Sequence, residues 1–421
     1  MVSFGAGQSE IKVTLRNGRS LRIRPGCGQD HLLLKTFFER LSPKSKYLRF
    51  GCQKSSFRDE EIENLAKFAP PDCYVLVAIR GEGKEERIVA LANWALLADG
   101  KRAEVSFVVE DSIQLRGVGT ALLGVLAREA AFWGIEVFLA YVLPQNAKMM
   151  EVFENSGFGV KKMFCEDNFE VQIFIASDAG FRTAEARRHR TSCCNLVNRF
   201  LDPQNIVLVA DSASARFWAP DLKNNIIASG FTGTVSVAQF PSRRKEVMLY
   251  PSLPELPGLF DLAILGLNRR LLPEAIVAGV KRGIAFFVAA EAGVGRSEDF
   301  SGNAGDKIVE VALAYGVRIL GPASGGLLNN ASRKHLNATL FQEPPPPGRI
   351  SVAFNRKSHG WAVMEIMKKM NLGVNHAVGL GEACDVHLWD LLEFWEEDEH
   401  TEAVLLVAAE PPVPPGWPPA G

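Results

Sequence analysis

The chain has 421 residues, 47% of them hydrophobic and 23% charged, with a formal net charge of −1. Such a balance describes a globular protein of two or three domains, without the broad basic field that nucleic acid or an anionic membrane would attract. No apolar run approaches the ~18 residues needed to cross a bilayer, and no basic-then-apolar leader opens the chain, so a cytoplasmic location is expected. Seven cysteines, Cys27, Cys52, Cys73, Cys165, Cys193, Cys194 and Cys384, make an odd number with no CxxC and no ligand-like spacing to histidine. Free thiols in a reducing compartment and no metal site are the expectation. Cys193-Cys194 is a vicinal pair read as structural.

The predicted elements begin with a hairpin over 11–24, turning at Asn17-Gly18. Helices are predicted over 29–41 and over 58–68, the second capped by Ser56 or Asp59. Strands follow at 73–80, 87–96 and 103–110, then a helix from Thr120 to Trp133 and a strand at 135–142. A helix from Asn146 to Asn155 and a strand pair across 158–176 complete an α+β domain. Residues 177–203 are basic and without a strand pattern, so they read as a linker or connecting helix. From 205 the rhythm changes to short apolar strands at 206–210, 235–239, 261–267, 284–290 and 318–322, separated by helices 220–229, 271–282 and 305–316. That alternation predicts a parallel sheet covered on both faces. After Pro344-Pro345-Pro346-Pro347 a shorter alternation runs through strands 350–354, 375–380 and 403–409, with helices 360–370 and 385–396. The Pro-rich tail, 411–421, is expected to lack regular structure.

Gln114-Leu115-Arg116-Gly117-Val118-Gly119 stands between the strand ending near Val109 and the helix from Thr120. Glycines at a strand-to-helix junction leave backbone N–H groups uncovered, and the helix dipole adds positive potential there. A pyrophosphate is the ligand this loop suits. Alone, a GxG is a weak signal, because loops use glycine for many reasons.

Several separated motifs then agree in order and spacing. The loop, the Asn-led helix PQNAKMMEVFENSGF, FFERLSPKSKYLRF, LRNGRSLRIRP and RAEVSFVVEDSIQLRGVGTALL resemble the GNAT N-acetyltransferases, more narrowly the bacterial Pat-type protein-lysine acetyltransferases. The resemblance spans roughly residues 10–175 and implies a GNAT fold with acetyl-CoA as cosubstrate and no metal. It implies that the backbone of Gln114, Leu115, Arg116, Gly117, Val118, Gly119 and Thr120 takes the pyrophosphate. The strand through Phe107, Val108 and Val109 would pair with the pantetheine arm, and Asn146 would order the cleft while capping its helix. Glu104 is implied as general base, since an amine with pKa ~10.4 must lose a proton before it attacks. Glu110 and Asp111 read as solvated turn charges. Many GNAT enzymes place a tyrosine at the position of Phe153 as general acid; its absence leaves the leaving thiolate, pKa ~8.5, to solvent.

Residues 205–410 resemble the NDP-forming acyl-CoA synthetases and the α subunit of succinyl-CoA ligases, through ASGFTGTVSV, YGVRILGPASGGLLN and VGLGEACDVHLWDLLEF. The implied organisation is a GNAT domain (10–176), a linker (177–203), a degenerate Rossmann-like CoA-binding domain (204–342) and a partial flavodoxin-type domain (348–410). The family's phosphate-binding positions depart here: Ala210-Asp211-Ser212, then Arg216 and Ala219 in place of glycines, Gly321-Pro322-Ala323-Ser324-Gly325-Gly326, and Phe354-Asn355-Arg356-Lys357. The chain is expected to stop before the segment bearing the phosphorylated histidine and to lack an ATP-grasp portion, with His359 and His376 structural. The expected function is acetylation of protein lysines, with metabolic enzymes such as acyl-CoA synthetases as partners and the second half regulatory or docking. The alternatives are a small-molecule amine acetyltransferase and a non-catalytic acyl-CoA sensor.

Overall fold

The computed structural model describes residues 10–408 apart from 53–56, 66, 67, 82, 166, 177, 178, 213, 217, 241–248, 291–302 and 332–334. The chain divides into two compact units, Met1–Ser192 and Cys193–Gly421.

In the first unit an eight-stranded sheet runs in the order β1-β2-β3-β4-β5-β6-β8-β7. Its strands are β1 Ile11–Thr14, β2 Ser20–Pro25, β3 Cys73–Arg80, β4 Arg87–Leu96, β5 Arg102–Val109, β6 Val137–Val142, β7 Gly159–Cys165 and β8 Asn168–Phe174. Neighbours pair antiparallel except β5 and β6, which run parallel. The predicted hairpin forms, with Gly18 at φ 78° in its turn.

The apolar run of β3 reflects burial on both faces. Tyr74, Leu76 and Ala78 join one core, while Val75, Val77 and Ile79 join the other. The first core is closed by α4 Val118–Phe132 and α5 Ala147–Glu154, the second by α1 His31–Arg40 and α3 Asp59–Leu65. Ser56 lies outside the described residues, and Asp59 is the first residue of α3. An unforeseen helix, α2 Pro43–Phe50, sits between them; Ser42 Oγ caps it by accepting from Ser45 N at 3.2 Å, and Pro43 opens it.

The expected linker is largely helical, as α6 Ala179–Leu201. Within the first unit, Phe181 of α6 stacks on Phe158 at 4.3 Å and 4°. Cys193 is buried in the same helix, and that burial raises its thiol pKa, so the vicinal pair is not an exposed redox couple.

The second unit contains two five-stranded sheets. One is wholly parallel, in the order β10-β9-β11-β12-β13, from β9 Asn205–Ala210, β10 Thr234–Gln239, β11 Leu262–Gly266, β12 Phe286–Ala289 and β13 Arg318–Leu320. The helices that alternate with its strands are α7 Trp218–Ala228, α8 Leu272–Lys281 and α9 Asn303–Tyr315. The other sheet, ordered β15-β14-β17-β16-β18, comprises β14 Gly326–Asn329, β15 Leu336–Ala338, β16 Pro347–Phe354, β17 Val374–Gly379 and β18 Ala403–Val407. Its strands alternate with α10 Lys357–Lys369 and α11 Leu388–Glu397. β14 and β15 pair antiparallel, so residues assigned above to the 204–342 domain belong to the second sheet. The proline run therefore lies between two strands of one sheet. The tail 411–421 lies outside the described residues.

Candidate active site

Three features of the first unit meet at one end of its sheet. The first is the fork of β5 and β6. They pair only at Arg102↔Val137, Ala103↔Phe138 and Glu104↔Leu139, then part. Beyond the fork, β5 keeps β4 as its partner and turns its other edge toward the gap. Glu104 stands at the last paired position and is exposed.

The second feature is the start of α4. Leu115 adopts φ 64°, and Gly117 adopts φ 87° as the N-cap residue. A Cβ at Gly117 would carry the left-handed penalty. No side chain among the described residues caps this helix, although the first amides of any helix lack an intrahelical acceptor. Gln114 is held below it: its Nε2 donates to Val109 O at 3.0 Å and Ser45 Oγ at 3.2 Å, and its Oε1 accepts from Lys148 Nζ at 3.2 Å.

The third feature is a cavity of about 1750 Å³ lined by both elements. Phe107, Val108, Val109, Gln114, Leu115, Gly117, Val118, Gly119, Thr120 and Asn146 all line it. So do nine basic residues, Lys12, Arg16, Lys44, Arg49, Arg128, Lys148, Arg182, Arg187 and Arg188, against three acidic ones, Asp111, Glu151 and Glu185. That excess of positive charge suits a polyanion. Asn146 caps α5, its Oδ1 accepting from Met149 N at 3.3 Å.

Two site residues fall elsewhere. Neither Glu104 nor Arg116 lines the cavity. Arg116 offers its carbonyl to Arg16 N at 3.2 Å and so ties the loop to the β1–β2 turn. Two supposed surface charges also do more than expected. Glu110 is buried and lies 3.3 Å from Arg40 Nε and 3.6 Å from Arg87 Nη1. Asp111 accepts from Ser42 N at 3.0 Å and from the hydroxyls of Ser42 and Ser45 at 2.8 Å each, anchoring the start of α2. Phe153 is fully buried, edge-on to Phe107 at 5.9 Å, and is part of the core.

Arg49, from α2, was missed by the sequence reading. It lines the cavity, and its Nη2 donates to Asn93 Oδ1 at 3.4 Å. Ser106 Oγ donates to the same oxygen at 2.6 Å. Burial pulls the Arg49 guanidinium down to about 10, with the Glu104 carboxylate opposing that shift. Ser42-Pro43, a cap followed by an N1 proline, was the signal that could have placed this helix.

The cleft fits acetyl-CoA on this chain's own terms: uncapped amides at a glycine, an excess of basic residues and a β edge free to pair. At the corresponding strand ends of the second unit, several of the described polar side chains are engaged with the protein itself. Asp211 Oδ1 accepts from Ser214 N at 2.9 Å, and Ser212 Oγ accepts from Gln239 Nε2 at 3.0 Å. Trp218 packs so closely on Gly266, the last residue of β11, that a Cβ there would lie 2.4 Å from its ring. Ser324 Oγ donates to Gly379 O at 2.6 Å, and Lys357 Nζ is committed to Ala290 O. His359 is exposed, whereas His376 is buried.

Comparison with known proteins agrees with this division. The acetyltransferase (GNAT) family model matches residues 36–158, and the succinyl-CoA ligase like flavodoxin domain model matches residues 347–411. The chain is 29% identical over 148 residues to acetyltransferase Pat of Mycolicibacterium smegmatis, covering 35% of this chain and 44% of that protein. It is 25% identical over 210 residues to the α subunit of ADP-forming acetate–CoA ligase I of Pyrococcus furiosus, covering 49% and 45%. It thus spans less than half the length of each of these curated relatives. Among solved structures, the GNAT domain of the S. lividans PAT protein is 31% identical and matches 39% of this chain and 97% of its own, with a TM-score of 0.36. The chain therefore carries a GNAT-family acetyltransferase domain joined to a module like those of succinyl-CoA ligase and ADP-forming acetate–CoA ligase.

Proposed function

We propose that the first unit transfers an acetyl group from acetyl-CoA to the ε-amine of a protein lysine, with Glu104 as the base. The observation that carries this reading is the uncapped, glycine-led start of α4 beside a basic cleft, with Glu104 at the fork of β5 and β6. Acetyl-CoA supplies an acyl carbon that an amine can attack. The backbone N–H groups of Val118, Gly119 and Thr120 bind the pyrophosphate, aided by the helix dipole. The free edge of β5 from Ser106 onward aligns the pantetheine arm and aims the thioester at the fork. Glu104 accepts the ammonium proton, and the amine nitrogen then forms a bond to the acyl carbon as the carbon–sulfur bond breaks and the nitrogen gives up its second proton to solvent. Phe153 has no hydroxyl to donate, so the departing thiolate takes its proton from solvent.

A protein acceptor is favoured by the relative acetyltransferase Pat. Metabolic enzymes such as acyl-CoA synthetases are the proposed class of partner. The second unit serves as a regulatory or docking module and not as a synthetase, a reading supported by the bonds that Asp211 and Lys357 already make and by the packing of Trp218 on Gly266. Labelled acetyl-CoA incubated with lysine-containing proteins and with small amines tests the reading. Label on protein lysines that depends on Glu104 supports it. Transfer only to small amines would reassign the acceptor, and binding without any transfer would make the chain an acyl-CoA sensor.

A further inference from the structure

Four arginines from four segments converge just outside the cleft. Arg80 ends β3, and Arg87, which opens β4, is its direct cross-strand partner. Arg19 closes the β1–β2 turn, and Arg116 belongs to the loop before α4. Like charges set opposite each other on a sheet destabilise it. Burial, followed by the charges of Arg19, Arg116 and Arg87, pulls the Arg80 guanidinium down to about 10. Its Nε and Nη2 are buried and have no hydrogen-bond partner among the described residues. The nearby carboxylate, Glu110, is shared by Arg40 and Arg87.

Desolvating a guanidinium without an acceptor costs free energy, and packing it among its own kind adds to the cost. Among the described residues no acceptor meets Arg80 Nε or Nη2; an anion would. Arg16 and Gly117 line the cleft, and Arg16 N bonds Arg116 O, so the arginines stand behind the cleft's wall and outside its lining.

We infer that Arg19, Arg80, Arg87 and Arg116 form a second anion site, behind the donor loop, for a phosphomonoester. Guanidinia approaching from several sides match the three terminal oxygens of a phosphate dianion better than the two of a planar carboxylate. Two sources share that chemistry: the 3′-phosphate of the CoA donor reaching around the β1–β2 turn, and a free phosphorylated molecule.

The test uses the full chain and Arg80→Gln, with Arg80→Lys as the charge-conserving control, in a buffer free of multivalent anions. Without phosphate, Arg80→Gln is expected to melt no lower than the parent, because it removes an uncompensated charge. Added inorganic phosphate, at about tenfold its dissociation constant, is expected to raise the parent's melting temperature by ~2–4 °C and to leave Arg80→Gln unmoved. This arm needs no donor, so it stands even if the acetyl-CoA reading fails. Affinities for acetyl-CoA and 3′-dephospho-acetyl-CoA then separate the sources. A preference for the phosphorylated donor that Arg80→Gln erases assigns the site to the donor's own phosphate. Equal affinities, with phosphate still stabilising the donor-saturated parent, assign it to a free phosphomonoester. The inference is overturned if Arg80→Gln melts lower than the parent without phosphate, or if phosphate moves both proteins equally.

Discussion

Replacing Glu104 by glutamine separates chemistry from binding. The side chain is exposed and makes no hydrogen bond or ion pair among the described residues. An isosteric amide there should change stability by no more than ~0.5 kcal/mol. Because Glu104 does not line the cavity, acetyl-CoA affinity should be unchanged. Loss of a positioned base should lower kcat by about 10²–10⁴, or ~2.7–5.5 kcal/mol of transition-state stabilisation. The pH profile adds a second readout. At about pH 7.4 only ~10⁻³ of a lysine with pKa ~10.4 is neutral, and each further pH unit raises that fraction tenfold. The residual rate of Glu104→Gln should therefore climb close to tenfold per unit toward pH ~10 and narrow the gap to the parent. Initial rates with a lysine peptide across that range provide the assay. Turnover equal to the parent's at neutral pH, or a deficit that stays constant as the amine deprotonates, would refute the role of Glu104.

Other consequences concern stability. Arg318 and Asp385 form a buried pair in the second unit, with Nε–Oδ2 at 3.0 Å, and the same carboxylate oxygen accepts from Ile319 N at 2.7 Å. Asp385→Ala should destabilise that unit by ~3–5 kcal/mol, read by chemical denaturation of the full chain. Burial of His376 lowers its pKa from the ordinary 6.5 to about 4, against the opposing pull of Asp398. The unfolded chain therefore takes up that proton first as the pH falls. This contribution to stability is complete above 6.5 and is lost toward 4, on the order of 3 kcal/mol, and His376→Gln should flatten that part of the acid-unfolding curve. Asn146→Ala removes the cap of α5 and should cost ~1 kcal/mol in thermal unfolding.

Much of the fold was legible because its signals are local. The strands β3 and β4 were predicted to the residue, since apolar runs between charged turns leave little choice of boundary. The glycine loop and the cap at Asn146 were equally plain. What escaped depends on distant partners. Glu110 and Asp111 read as solvated because Arg40, Ser42 and Ser45, which hold them, lie 66–70 residues earlier. α2 is short and polar, and Arg49 gains importance only when that helix packs beside Asn93 and Ser106. β14 and β15 are four and three residues long, and β14 lies beside β17, which comes about 50 residues later, so no local period marks them. The convergence of Arg80 with Arg19 and Arg116 is likewise invisible until the strands pair.

The central claim is that the start of α4 binds the donor's pyrophosphate. Gly119 tests it most directly: it has no positive φ, and a Cβ there would sit 3.5 Å from Val152, an ordinary contact, so Gly119→Asp should fold. Its carboxylate would stand where the pyrophosphate is held and repel it. Titration calorimetry of the full chain with acetyl-CoA should show one site per chain in the parent and a loss of at least ~100-fold in affinity in Gly119→Asp. No binding by the parent, or equal binding by a folded Gly119→Asp protein, would contradict the account.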